Sequence, residues 1–217
     1  MLFRYLDLLD VSPWLFIVFF GSVVAALVVG IAFHEFSHAL VAYSLGDSTA
    51  RRMGRLSLDP RVHLDPFGTL LLFIGGFGWG KPVPVNPYKL VNGAKAGMAM
   101  VSVAGPFSNL ATAAFFAIPL RLDLINSLEM ANLLFVIVLI NVSLAVFNLI
   151  PLPPLDGFKV LLGLLPDRQA YAFSRLEQYG PALLLLLIFM ERFTHFGLIG
   201  TLLQPLSNLI LRGILGS

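Results

Sequence analysis

Along this chain, apolar residues gather into stretches long enough to cross a bilayer, and polar residues collect between them. A helix needs ~20 apolar residues to span the hydrocarbon. The first such stretch runs from about Trp14 to Tyr43, the second from about Met98 to Leu120 and the third from about Ala131 to Ile150. A fourth, short but apolar throughout, runs from about Pro181 to Met190, and a fifth candidate lies between about Phe196 and Leu211; the fourth reads either as a full span over Tyr179 to Phe193 or as part of a helical hairpin with the fifth. The pattern predicts an all-α polytopic membrane protein with about five to six transmembrane helices, preceded by a peripheral lead-in from Met1 to Pro13.

The segment between the first and second spans breaks this pattern. Glycine and proline interrupt its apolar runs, and near-alternation at Arg55 to Leu58 and at Lys81 to Val85 predicts short strands and turns. Gly68 to Phe77 is too short and glycine-laden for a span. It reads as a re-entrant or interfacial element, which is tolerated at depth only where protein covers its backbone. The expected insert is therefore small and β-rich or re-entrant.

Composition sharpens the class. Apolar residues make up 58% of the chain and charged residues 12%, against about 25% charged in soluble domains. There is no cysteine, which excludes disulfides, iron–sulfur clusters and thiolate zinc sites. The formal charge of +2 is spread over loops beside the spans, so no concentrated basic face for nucleic acid is expected. The loop after the first span holds Arg51, Arg52, Arg55, Arg61, Lys81, Lys89 and Lys95, and that after the third holds Lys159, Arg168 and Arg175. The other side receives Arg4, Arg121 and Arg192. The positive-inside rule places the richer loops in the cytoplasm, the amino terminus outside and, with five spans, the carboxyl terminus near Arg212 inside. The small cysteine-free architecture fits a multi-pass protein of a prokaryotic inner (plasma) membrane.

Within this apolar setting one cluster carries chemistry. His34 and His38 lie four apart, on one helix face, and Glu35 projects beside them. Two imidazoles at that spacing reach one zinc ion, while the glutamate meets a bound water. Charged groups at hydrocarbon depth are usually functional, and no arginine or lysine lies within a span to neutralise Glu35. A catalytic zinc needs a third protein ligand. Asp156, in the stretch FNLIPLPPLDGFK after the third span, is the first candidate, because it sits at the same membrane face as His38. Pro151, Pro153 and Pro154 end the helix before it, and Gly157 permits a tight turn after it. His63 and Asp65 are second choices, and His195 falls on the opposite side.

HEFSH in the first span, GPFSN at Gly105 to Asn109, and Asn148 followed by Pro151 and the Leu155–Asp156–Gly157 turn resemble the site-2 protease family of intramembrane zinc metalloproteases. The similarity runs from about Val28 to Gly157 and includes HLDPFGTLLLF. The resemblance implies one Zn2+ per chain on His34, His38 and Asp156, with Glu35 as catalytic base. It implies that Asn148 helps position the substrate or the transition state. It also implies a transmembrane protein substrate, often pre-cleaved by another protease, cut within the lipid bilayer at a site open to the cytoplasm. No segment has the size of a PDZ domain or of paired CBS domains, so a minimal member is expected. The chain, 1–217, is then a single membrane-embedded metalloprotease domain, with a catalytic core at about 14–160 and carboxyl-terminal helices at about 179–213.

Elementary chemistry agrees with this carry-over. Amide hydrolysis needs an activated water, a polarised carbonyl and a proton for the leaving amine; zinc supplies the first two, and Glu35 moves the proton. Asn148 is the best-placed donor for the oxyanion, with a helix-end cap as its alternative role. Asn109 can instead join helices through Asn148, a backbone carbonyl or water. Gly75 to Gly80 with Val83 to Val85 offers either a strand edge to an unwound substrate or an interfacial turn anchored by Trp79. Competing classes are a metal-ion transporter, a membrane scaffold with a structural zinc site, and a zinc hydrolase of soluble peptides.

Overall fold

The computed structural model describes residues 12–75, 78–193 and 198–216. Its frame is three long helices: α1 (Pro13–Ser44), and two more that follow the insert. A four-residue helix, α2 (Thr49–Arg52), and α3 (Pro66–Gly75) lie within the insert; the second and third long helices are α4 (Ala94–Arg121) and α5 (Leu128–Asn148). Among the described residues, α1, α4 and α5 are the helices long and apolar enough to cross a membrane. Ser12 starts α1 by accepting the Leu15 N–H, with Pro13 in the first turn, and Ser127 caps α5 by accepting the Met130 N–H.

These helices pack through small residues at fourfold spacing. The buried face of α1 includes Ser22, Ala26, Gly30, His34, His38 and Ala42, and that of α4 includes Gly97, Val101, Gly105, Asn109, Ala113 and Ala117. Residues four apart form a ridge along a helix, and small side chains on that ridge let backbones approach closely, the main source of association between helices in lipid. α1, α4 and α5 all contact one another. The polar centre therefore sits inside a three-helix frame, in register with its small-residue ridges.

Below α5 the chain turns through residues 149–155 into α6 (Asp156–Leu164), which packs on α4. Gly157 is required there for clearance: a Cβ would overlap the backbone of Leu149 and Ile150. This differs from the expected tight turn, since Asp156 opens a helix. α7 (Asp167–Ser174), α8 (Gly180–Phe193) and α9 (Leu198–Leu215) complete the chain. Leu203, Ile210, Leu211, Ile214 and Leu215 of α9 cover Ala113, Ala117, Val138, Val142 and Val146 of α4 and α5.

Three expectations change. The predicted strands at Arg55 to Leu58 and Lys81 to Val85 do not form; among the described residues the one pairing is an isolated antiparallel bridge between Leu64 and Gly80. Pro82 and Pro84 have no N–H to give a ladder, and the Lys81 N–H goes to the His63 carbonyl at 2.7 Å. Second, of the two readings of the fourth segment, a full span is not met: it forms the 14-residue α8, about 21 Å long against a hydrocarbon thickness of about 30 Å. Third, Arg121 Nη1 donates to the Gly213 carbonyl at 3.4 Å, so the carboxyl-terminal end of α9 lies by the α4–α5 turn. Five crossings would have brought it to the other end of the bundle. The expected lead-in before residue 12, the stretch at Gly76 and Phe77, the start of the fifth candidate span at Phe196, and His195 lie outside the described residues.

Candidate metal centre

His34 and His38 are successive members of the buried α1 ridge, and Asp156 is carried to them by the first turn of α6. The His34 and His38 Nε2 atoms are 3.0 Å apart. Asp156 Oδ2 lies 3.0 Å from His34 Nε2 and 3.2 Å from His38 Nε2. The opposite ring nitrogens face acceptors: His34 Nδ1 meets Asn109 Oδ1 at 2.6 Å, and His38 Nδ1 meets the Val101 carbonyl at 2.7 Å. Each neutral ring therefore carries its proton on Nδ1 and turns the Nε2 lone pair toward the carboxylate.

Three electron-pair donors thus converge within 3.2 Å, and Asp156 Oδ2 is buried without a hydrogen-bond donor. Donors packed this way repel one another unless a cation lies between them. Tetrahedral zinc with ~2.0 Å bonds would place its ligand atoms about 3.3 Å apart, so the residues present fit that ion. Gly105 of α4 closes the other side: a Cβ there would stand 2.5 Å from His38 Nε2 and 2.6 Å from His34 Nε2.

Glu35 is half-buried on α1, and its Oε2 accepts the Val83 N–H at 3.2 Å. Val83 belongs to an extended strap held from three sides. The buried Arg55 guanidinium donates to the carbonyls of Lys81 and Pro82 at 3.3 and 3.2 Å. His63 takes the Lys81 N–H on its own carbonyl, and Asp47 Oδ2 accepts the Asn86 N–H at 2.6 Å. Asp47 also accepts both the Thr49 N–H and its hydroxyl. Burial raises the Asp47 carboxyl, but the donors from Thr49 and Asn86 outweigh it and hold the group below its usual range.

The other candidates are placed elsewhere. His63 is wholly buried in the insert, where its Nε2 donates to the Ser57 carbonyl, and Asp65 Oδ1 accepts the Gly68 N–H at the start of α3. Asn148 is half-buried and donates to the Leu144 carbonyl of its own helix at 2.9 Å. Asn109 pairs with Asn141 and not with Asn148: its Nδ2 donates to Asn141 Oδ1 at 2.9 Å. Sequence reasoning passed over Asn141, although an amide in the middle of an apolar span is itself a signal.

A helical membrane protein with a buried His–His–Asp centre, beside a glutamate on the same helix, falls in the class of membrane metallohydrolases. The profile of peptidase family M50 matches residues 123–190, which include Asn141, Asn148 and Asp156. A Bacillus subtilis protein named "Putative zinc metalloprotease YwhC" is 40% identical over 165 residues, covering 72% of this chain and 75% of the relative. A Mycobacterium tuberculosis protein named "Putative zinc metalloprotease Rip2" is 33% identical over 185 residues, covering 82% and 70%. Its Mycolicibacterium smegmatis namesake is 27% identical over 186 residues, with the same coverage. No solved structure matches. The chain belongs to peptidase family M50, the site-2 proteases, whose metal is zinc.

Proposed function

We propose that this chain is an intramembrane zinc endopeptidase that hydrolyses peptide bonds within or near transmembrane segments of partner proteins. The observation that carries the reading is the convergence of His34, His38 and Asp156 on one point among membrane-length helices. His34, His38 and Asp156 are the ligands, and Glu35 and Asn148 act on the substrate side. Held by these three residues, zinc would supply a Lewis acid that polarises the scissile carbonyl and lowers the pKa of the attacking water. Glu35 takes that water's proton and delivers it to the leaving nitrogen. The Val83 N–H steadies one Glu35 oxygen, leaving the other for the transfer. Asn148 keeps one amide hydrogen on Leu144 and offers the other to the developing oxyanion.

The chain works as a single membrane-embedded domain, and Gly68 to Phe77 is its re-entrant or interfacial element. The Leu64–Gly80 bridge, which brings together residues on either side of that segment, supports this reading. The site opens to the cytoplasm across an inner membrane. Support comes from the basic residues that share its end of the bundle, Arg51, Arg52, Arg55 and Arg61 in the insert and Lys159, Arg168 and Arg175 after α5. The substrate is a transmembrane protein, of the kind often trimmed beforehand by another protease. An unwound substrate segment pairs with the strap near Val83 to Val85.

Membrane proteomics of the host carrying wild type or Glu35→Gln at matched levels tests this reading. Transmembrane proteins, intact or trimmed, should accumulate only with Glu35→Gln. No difference between the two, under several stresses and with normal zinc content, overturns it.

A further inference from the structure

Behind the metal centre, three helices contribute to one line of buried amides. On α5, Asn141 Nδ2 donates to the Ile137 carbonyl at 2.8 Å. Asn141 Oδ1 accordingly faces α4 as an acceptor and takes Asn109 Nδ2 at 2.9 Å. Asn109 Nδ2 also donates to the Gly30 carbonyl of α1 at 3.0 Å. Asn109 Oδ1 is then turned to His34 Nδ1, at 2.6 Å.

A carbonyl oxygen only accepts, so the direction of the whole line is set at its two backbone ends, Ile137 and Gly30. Turning Asn109 over would bring its oxygen against the Gly30 carbonyl and Asn141 Oδ1. Turning Asn141 over would set oxygen against the Ile137 carbonyl and one amide nitrogen against the other. Both asparagines are wholly buried, where an unpaired polar group costs about 1–3 kcal/mol. The surviving arrangement puts the proton on His34 Nδ1 and the lone pair on Nε2.

We propose that Asn141 is a positioning residue for the metal centre. Acting through Asn109, it holds the His34 ring in the tautomer and orientation in which Nε2 is a ligand. The proposal rests on the assignment of His34 as a zinc ligand made above. Partners of this kind behind a ligating histidine alter metal affinity by roughly 10–100-fold.

The test is a double-mutant cycle on the purified full chain in detergent, reading zinc affinity by competition with a chromogenic chelator. Asn109→Leu should weaken zinc binding about a hundredfold and Asn141→Leu about tenfold. The double variant should bind no more weakly than Asn109→Leu alone, because Asn141 reaches the metal only through Asn109. Asn141→Asp, as the neutral acid favoured in an apolar interior, keeps both a donor and an acceptor and should bind zinc within about threefold of wild type. Additive losses, as a purely structural role in helix packing would give, overturn the proposal. So does wild-type affinity in Asn141→Leu, or an Asn141→Asp as weak as Asn141→Leu. If Asn141→Leu fails to accumulate, Asn141→Ala takes its place in the cycle. A wild type that takes up no zinc overturns the ligand assignment itself, and this proposal with it.

Discussion

Gly105 stands directly against His38: the space a Cβ would occupy at residue 105 ends 2.5 Å from the His38 Nε2 atom. The α4 ridge therefore needs a residue without a side chain at the point where it meets the metal centre. Gly105→Ala should leave a folded helical protein that has lost most of its zinc, since the added methyl would stand 2.5 Å from His38 Nε2 and 2.6 Å from His34 Nε2 and push both nitrogens out of place. Zinc content and helical circular dichroism, measured on the same sample, check this.

Val83→Pro removes the N–H that holds Glu35. A hydrogen bond to a charged group is worth about 1.5–3 kcal/mol, so cleavage should slow by roughly ten- to a hundredfold while zinc content stays at the wild-type level. Loss of zinc together with activity would assign the strap to folding instead.

Asp47 gives the insert an acid-sensitive fastening. Its folded pKa is depressed below the unfolded value of about 3.9. Its contribution to stability is thus present above that value and disappears as pH falls through the folded pKa. Asp47→Asn keeps an oxygen for Thr49 but turns an NH2 group toward the Asn86 N–H. The variant should unfold at a lower temperature than wild type near neutral pH. The two melting curves should converge below about pH 4, as read by thermal unfolding in detergent across a pH series.

Chelation should abolish proteolysis, and added Zn2+ should restore it. Mg2+ should not, because it demands near-octahedral oxygen coordination and parts reluctantly with its waters, whereas this centre offers two imidazoles and one carboxylate. Activity after each addition, with metal content measured in parallel, decides the matter.

The three residues of the centre were legible in the sequence because each is fixed locally: His34 and His38 by helical spacing, and Asp156 by the prolines and glycine around it. The third was joined to the first two only by supposing that α5 returns to the same face, and Asp156 Oδ2 does lie 3.0 and 3.2 Å from the two histidine Nε2 atoms. The long helices were legible for the same reason, their apolar runs being continuous. Asn141 was not, because its meaning lies in the direction of hydrogen bonds across three helices, which no local spacing encodes. Alternation at Lys81 to Val85 imitated a strand, but Pro82 and Pro84 leave that segment to be held by side chains and carbonyls of the insert. The end reached by α9 was hidden too, since hydropathy counts segments without telling which of them traverse the bundle.

The two histidines stand six and ten residues before the end of α1 at Ser44, roughly 9 and 15 Å along the helix axis. A polypeptide entering from that end as an extended chain advances about 3.3 Å per residue. On the proposed function, it would bring to the centre the bond lying some three to five residues beyond its point of entry. A helical substrate would then have only to fray by its terminal turn to present a bond there, with the stretch of α1 from His34 to Ser44 acting as the ruler.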